Sequence, residues 1–258
     1  MEVAIFEAYF DASGLTKPAS VLSAAGYLLT TANRHNLDTQ WTNLLAPYFG
    51  SLPPHKRTFR MAAFNDHQDE PYCDMSTAQR DLLFTQLSES AALHVAAAVC
   101  ASVNRSAFDS ASDASRKTLD NPYTMACLWC MEQFANYLKE FQSPADTIQF
   151  FFEAGDVGQD RLQAFVDDQI ATKPKLGEKY RFQSFKILPK DSSHAFAAAD
   201  VLAWHYRRSV QQLIDNKPID DERKFITRFV NPPIAQVYYG PNNIAAQTLV
   251  TEFMKRGV

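Results

Sequence analysis

Residues 3–14 read VAIFEAYFDASG, and this stretch decides the fold because it predicts a buried strand that ends at an acid. Both faces of residues 3–10 are largely apolar, as they are in a strand at the centre of a sheet. Asp11 follows the strand, and the small and polar residues after it predict a turn. Residues 21–29 predict a second strand that pairs with the first as a long hairpin. We therefore expect this hairpin to start the sheet.

The remaining segments alternate between helical and extended patterns. Apolar spacing predicts helices over 33–49, 77–93, 122–141, 161–170 and 194–215, and strands over 93–103, 148–152 and 180–188. The Ser-, Asp- and Ala-rich segment 104–120 predicts a loop, of which 104–117 is expected to be a mobile excursion near the functional site. Two shorter helices are expected over 221–229 and 243–255.

This order of elements predicts an α/β fold. Three early strands without βαβ alternation are followed by strand–helix units, which is the ribonuclease H-like order. We expect one domain over 1–258, built on a five-stranded mixed sheet flanked by helices. A helical insertion over 31–92 would separate strands 2 and 3, and a helical extension over 216–258 would finish the chain.

The composition is that of an ordinary globular protein, with 46% hydrophobic and 21% charged residues. Twenty-five Lys and Arg against 29 Asp and Glu give a formal net charge of −4. There is thus no overall basic field, so that a nucleic-acid partner would have to be bound by a local patch. The sequence shows neither a basic leader followed by an apolar run nor a bilayer-length apolar run, so we expect no secretory signal, no membrane partner and a cytoplasmic location.

The four cysteines, Cys73, Cys100, Cys127 and Cys130, are then expected to be reduced thiols. Cys127 and Cys130 form a C-x-x-C pair inside a helical pattern, which favours buried core thiols. A zinc site would need the other two cysteines at no recognised spacing.

Three acids stand out by their surroundings. Asp11 ends the first strand, and Glu153 follows the all-apolar strand 148–152. Asp200 lies in the apolar helical stretch 196–204. An acid is rarely buried on a helix unless a metal ion or a positive partner offsets its desolvation.

These acids are expected to meet. If the first strand lies parallel to the fourth, then Asp11 and Glu153 emerge at one sheet edge, and the last helix brings Asp200 across it. Three carboxylates without a His or Cys set favour Mg²⁺ or Mn²⁺. Two such ions about 4 Å apart could activate a water and stabilise the leaving oxygen in phosphodiester hydrolysis. The alternative is a buried ion pair of Asp200 with Arg207 or Lys190.

Further polar residues are expected to assist, namely Ser13, Asp156, Lys190, Asp191 and His194. Lys190 could contact a phosphate and His194 could carry a proton, with capping or surface roles as the alternative. A short basic cluster, His55, Lys56, Arg57 and Arg60, is the best local phosphate contact, although such clusters are usually solvated.

Five segments together resemble the successive motifs of the domain of unknown function 3800 family. They are AYFDASG (8–14), VLSAAGYLL (21–29), RTFRMAAF (57–64), IQFFFEAGDVG (148–158) and FKILPKDSSHAFAAADVLAWHYRR (185–208). The resemblance covers roughly residues 5–210. It implies a ribonuclease H-like fold and a metal-dependent nuclease that acts on RNA or DNA, with Asp11, Glu153 and Asp200 as its metal ligands.

The sequence departs from the family pattern at three positions. Ala12 and Ala198 stand where the family usually has Glu and Gln, and Arg60 stands where His commonly precedes the Met. These departures leave the three acids in place but permit a second hypothesis. In that hypothesis the protein is a catalytically weak nucleic-acid-binding or partner-binding protein that retains the fold.

Overall fold

The computed structural model describes residues 4–15, 19–53, 57–67, 69–110 and 121–217, and the backbone of 234–239. In these ranges, the strands are β1 (Ile5–Ser13), β2 (Val21–Thr30), β3 (Ala97–Asn104), β4 (Thr147–Glu153), β5 (Phe182–Leu188) and β6 (Ile234–Tyr239). They form one mixed sheet in the order β5-β4-β1-β2-β3-β6. β1 pairs antiparallel with β2 and parallel with β4. It is therefore central, as its apolar faces predict.

The α-helices of the described ranges are α1 (Thr31–Phe49), α2 (Met61–Asp66), α3 (Thr77–His94), α4 (Arg105–Asp109), α5 (Pro122–Phe141), α6 (Gln159–Phe165), α7 (Pro174–Lys179) and α8 (His194–Ile214). Val166–Ile170 continues α6 as a π-helical turn, and Lys190–Ser192 is a 3-10 turn before α8. The long helices begin at side-chain caps, among them a capping box of Ser76 with Gln79 at α3. None of these helices combines the length and the hydropathy needed to cross a bilayer.

The hydrophobic core lies in two layers, one on each face of the sheet. Because successive side chains of a strand point to opposite faces, Tyr9 packs with α1, α3 and α8, whereas Phe10 packs with α5 and α6. Gly26 of β2 lies opposite Phe10, and a Cβ there would lie 2.5 Å from the Phe10 ring. Only glycine therefore lets this central pair of strands close around the ring.

The carboxyl-terminal part of the fold differs from the expected helical extension. Residues 234–239 form β6, which pairs parallel with β3 and makes the sheet six-stranded instead of five-stranded. The physical reason is composition, because this segment, IAQVYY, is rich in β-branched and aromatic residues. The helices expected over 221–229 and 243–255 lie outside the described residues.

The expected loop after β3 is also wrong in its first part. Residues 105–109 form α4, whose first turn is capped by Asn104 Oδ1, which accepts a hydrogen bond from the Ala107 N–H at 3.0 Å. Phe108 is buried and anchors this turn in the core. One large apolar side chain thus offsets the polar composition around it, while residues 111–120 lie outside the described part of the chain.

The four cysteines are free thiols. Cys127 and Cys130 lie on the buried face of α5, in the core, as the helical pattern predicts. Cys100 is buried on β3 and Cys73 is exposed.

Candidate functional site

Three aromatic side chains form a floor on the α8 face of the sheet. Tyr9 of β1 stacks on Phe151 of β4 with ring centroids 4.8 Å apart. Phe196 of α8 packs edge-on against Tyr9 at 5.1 Å. Positions two residues apart on a strand, or four apart on a helix, share one face. The residues two positions after Tyr9 and Phe151, and four positions after Phe196, therefore lie next to these rings on the same face, at the carboxyl ends of β1 and β4.

Those residues are the three predicted acids, and the structure brings them together around one atom. The ammonium nitrogen of Lys190 lies 2.8 Å from Asp11 Oδ2, 2.9 Å from Glu153 Oε2 and 3.1 Å from Asp200 Oδ2. No two of these oxygens can thus be more than about 6 Å apart, a separation compatible with shared ions. The side chains are largely buried, and Asp11 is only 5% exposed.

β5 delivers Lys190 to this point. It pairs parallel with β4 so that Leu188 lies opposite Glu153, and Lys190 begins the turn just beyond. Of the two cations that the sequence offers Asp200 as partners, Lys190 is the one observed. Arg207 instead donates from Nε to Ser13 Oγ at 3.0 Å.

The charges at this site do not balance, since one ammonium faces three carboxyl groups. Burial raises the pKa of Asp11 well above its ordinary range, and the neighbouring Asp200 and Glu153 raise it further, whereas Lys190 lowers it. For Lys190, burial lowers the pKa, but Asp11, Asp200 and Glu153 outweigh burial and raise it. Lys190 therefore stays protonated, and negative charge remains that a further cation would neutralise.

Backbone groups and one glutamine hold the acids in place. The Met61 N–H at the start of α2 donates to Asp200 Oδ2 at 2.9 Å. Gln159 is buried and bridges the turn after β4, because its side chain donates to the Glu153 carbonyl and accepts from the Gly155 N–H. Sequence reasoning missed both contacts. Met61 lies within the RTFRMAAF motif, but the motif does not indicate a role for its backbone N–H. Gln159 carries no signal beyond following a turn that contains two glycines.

Asp156 lies on the same turn and is partly buried. Burial and the charge of Glu153 raise its pKa to about 7, although the Tyr123 hydroxyl and Lys190 act in the opposite direction. A carboxyl group with this pKa can take up or release a proton at neutral pH.

The structure does not bring Asp191 and His194 to the acids. Asp191 is exposed. His194 faces α1, where its Nε2 lies 3.1 Å from Thr42 Oγ1 and its ring lies 6.0 Å from that of Trp41. Ser13 is connected to Arg207, as described, and not to the acid cluster.

Asp38 of α1 anchors the beginning of α8, the helix that carries Asp200. Its Oδ1 accepts from Ser193 Oγ at 2.9 Å and from the His194 N–H at 2.7 Å. Its Oδ2 accepts from Arg34, which also pairs with Glu7 of β1 at 3.2 Å. The start of α8 is thus fixed to α1 and β1 through charge-assisted hydrogen bonds.

The donor set fits a hard divalent cation. Three carboxylates without thiol or imidazole favour Mg²⁺ or Mn²⁺. Glu153 Oε2 is buried and has no hydrogen-bond partner of good geometry, although Lys190 is within ion-pair distance. Within the described residues, no group of three or more His, Cys, Asp or Glu side chains is arranged, as it stands, to hold a metal ion. The three acids lie around the ammonium group of Lys190.

Comparison with known proteins gives no family assignment. No family model matches the chain, and no curated protein is significantly similar to it. The resemblance drawn from its motifs therefore stays a prediction.

Replacing Lys190 by Met should cost far more stability than replacing Asp200 by Asn. Met leaves three buried acids without a cation, a loss on the order of 3 kcal/mol. Asn leaves Lys190 with two carboxylate partners and keeps an oxygen for the Met61 N–H. Urea denaturation in EDTA at pH 7 measures both, with the exposed Lys139→Met as control. Similar small losses for all three variants would show that Lys190 is not held among the acids.

Replacing Asp156 by Asn should stabilise the protein at pH 8 and have little effect near pH 4. The folded-state pKa of about 7 lies above the unfolded value, so the unfolded state loses its proton first and stability falls as the pH rises between these values. Asn removes this loss. Melting temperatures in EDTA across this range test it, with Asp81→Asn as an exposed control on α3. A pH-independent difference would contradict the assignment.

Proposed function

We propose that the protein is a divalent-metal-dependent phosphodiesterase that hydrolyses RNA or DNA. The observation that carries this proposal is the convergence of Asp11, Glu153 and Asp200 on one point at the carboxyl ends of two parallel strands. Ligand sites of open α/β sheets lie at this end of the strands. The excess of carboxyl groups over ammonium groups, together with a Glu153 oxygen that has an ion-pair partner but no hydrogen bond of good geometry, supports a cation as the ligand.

The finer fold assignment is part of the same proposal. In the order β5-β4-β1-β2-β3, β2 alone runs in the direction opposite to the other four strands. This arrangement supports a ribonuclease H-like core, to which β6 and the helices α1 to α3 are additions. The motif resemblance to the domain of unknown function 3800 family points to the same fold and the same acids.

The residues have distinct roles in this proposal. Asp11, Glu153 and Asp200 would hold Mg²⁺ or Mn²⁺, which when bound supplies charge neutralisation at the phosphate and a more acidic water. Asp156, with its pKa of about 7, accepts the proton that the attacking water releases. Lys190 offers its ammonium group to a phosphate oxygen.

Nucleic acid as the partner is supported by two arginines that contact the end of β1 and the turn after it, shortly beyond Asp11. Arg105 donates from Nη2 to the carbonyls of Gly14 and Leu15 at 2.8 and 3.1 Å, and Arg207 contacts Ser13 on the same turn. Both guanidinium groups retain donors that can bind phosphate oxygens. A local patch of this kind is what a chain of net charge −4 needs. In the other predicted basic patch, Arg57 donates to a backbone carbonyl and His55 and Lys56 lie outside the described residues.

The second candidate function is nucleic-acid or partner binding with weak or no catalysis. One observation favours it, since Lys190 already neutralises part of the acid cluster and so reduces its need for a metal ion. The departures at Ala12, Arg60 and Ala198 fit this candidate as well. A cytoplasmic location belongs to both candidates and agrees with the four free thiols.

Mn²⁺ should raise the melting temperature of the wild type, because an ion that binds only the folded state stabilises it. Glu153→Gln and Asp200→Asn should lose most of this shift, since each removes a ligand charge. Glu89→Gln, an exposed substitution of the same kind on α3, should retain it. No shift in the wild type, or an equal shift in all variants, would contradict metal binding at these acids.

Asp200→Asn should also abolish hydrolysis of end-labelled RNA and DNA oligonucleotides in Mn²⁺ while leaving the fold intact. Its unfolding free energy in EDTA should remain within about 1 kcal/mol of the wild type, because Lys190 keeps its other partners. Undiminished hydrolysis by the variant would exclude Asp200 from the reaction. A wild type that binds Mn²⁺ and nucleic acid but cleaves neither substrate would favour the second candidate.

A further inference from the structure

We propose that the ammonium group of Lys190 occupies the binding site of a divalent cation among the three acids and leaves this site when the ion binds. This inference rests on the proposed function, because it concerns the same acids. The protein would then exist in two states. In the lysine state, the ammonium group of Lys190 closes the acid cluster, and in the metal state, an ion takes its place.

The first argument is that the lysine and an ion need the same oxygen atoms. The Lys190 nitrogen is nearly equidistant from Asp11 Oδ2, Glu153 Oε2 and Asp200 Oδ2, at 2.8 to 3.1 Å. An ion bound by these oxygens at about 2.1 Å would lie between the same three atoms, once each had moved inward by roughly 0.7 to 1 Å. The ammonium group and a metal ion cannot occupy this site together, because their repulsion in a partly buried site is large.

The second argument is that the ammonium satisfies the acids incompletely. Its contacts with Asp11 and Asp200 are hydrogen bonds, but Glu153 Oε2 lacks hydrogen-bond geometry. A divalent ion would bring twice the charge of the ammonium group, so it has an electrostatic advantage over the lysine at this position.

The third argument is that only the side chain of Lys190 needs to move. The backbone around it is fixed, since the Ser192 N–H donates to the Pro189 carbonyl at 3.0 Å and Ser193 Oγ donates to Asp38. The side chain is 11% exposed and therefore reaches the surface. Its flexible four-carbon stem allows the nitrogen to leave the site while the 3-10 turn stays in place.

The consequence is that Lys190 lowers the affinity of the site for metal and then stays tethered beside it. An incoming ion must first break three ion pairs, which weakens its net binding. Once displaced, the ammonium group lies at the rim of the cluster, where a phosphate oxygen of a substrate can receive it.

Isothermal titration with Mn²⁺ tests this competition in the full-length protein. Lys190→Met should bind Mn²⁺ at least tenfold more tightly than the wild type, and Mn²⁺ should restore the stability that this variant loses in EDTA. Lys190→Arg keeps the positive charge and should bind no more tightly than the wild type. The exposed Lys139→Met should bind as the wild type does.

A second measurement does not depend on a variant that folds. Acetylation of the wild type by an amine-reactive ester, followed by peptide mass spectrometry, should show Lys190 protected in EDTA and modified at least severalfold faster in Mn²⁺. Lys139 should react equally in both conditions.

The outcomes separate the two proposals. Equal or weaker Mn²⁺ binding by Lys190→Met, or an acetylation rate at Lys190 that Mn²⁺ does not change, would overturn the exchange while leaving metal binding by the wild type intact. If neither the wild type nor Lys190→Met binds Mn²⁺, then the proposed function fails and the exchange fails with it. Binding by Lys190→Met alone would overturn the exchange, because the lysine would then exclude the ion permanently, and metal binding by the wild type would fail as well.

Discussion

The parallel pairing of β1 with β4 is the contact on which the site depends. It aligns Phe10 with Phe152, so that the residues that follow each strand leave the sheet at the same level. The stacked rings of Tyr9 and Phe151 stabilise this register on the face that α8 covers. A slip of one strand by one residue would turn every one of its side chains to the other face. This packing holds the acids at the strand ends close together, although they repel one another.

Buried charge then imposes a second constraint. Carboxyl groups that converge where little water is present need a cation, and the chain supplies Lys190 from the 3-10 turn after β5. This internal cation makes the acid cluster compatible with a stable fold before any ligand arrives. The compensation is incomplete, since one ammonium group cannot balance three carboxyl groups and Glu153 Oε2 lacks a hydrogen bond of good geometry. The site thus combines a stable resting arrangement with residual attraction for positive charge.

Much of this arrangement could be predicted from the sequence. The apolar strands that end at Asp11 and Glu153, and the acid within an apolar helix at Asp200, point to one edge of the sheet because sheet and helix geometry leave few other solutions. The sequence offers Lys190 as one of two possible partners of Asp200. Its place among all three acids could not be predicted, because it depends on the register of β5 against β4 and on the turn after it. Gln159 and Met61 escaped prediction for a similar reason, since their contacts come from local turn geometry and a backbone N–H. β6 lies between two segments with helical patterns, and it pairs with a strand that is far away in the sequence, so its place in the sheet could not be predicted.

The helices between β2 and β3 have a bearing on how this fold can vary. α1 holds the start of α8 through Asp38, and α2 presents the Met61 N–H to Asp200. An insertion in the connection between two strands often tolerates changes in length, because it contacts little else. Here the insertion makes two hydrogen-bonded contacts, described above, with α8, the helix that carries Asp200. A related chain that shortened this connection would have to replace both contacts, so that the length of the insertion and the integrity of the acid cluster are expected to change together in evolution.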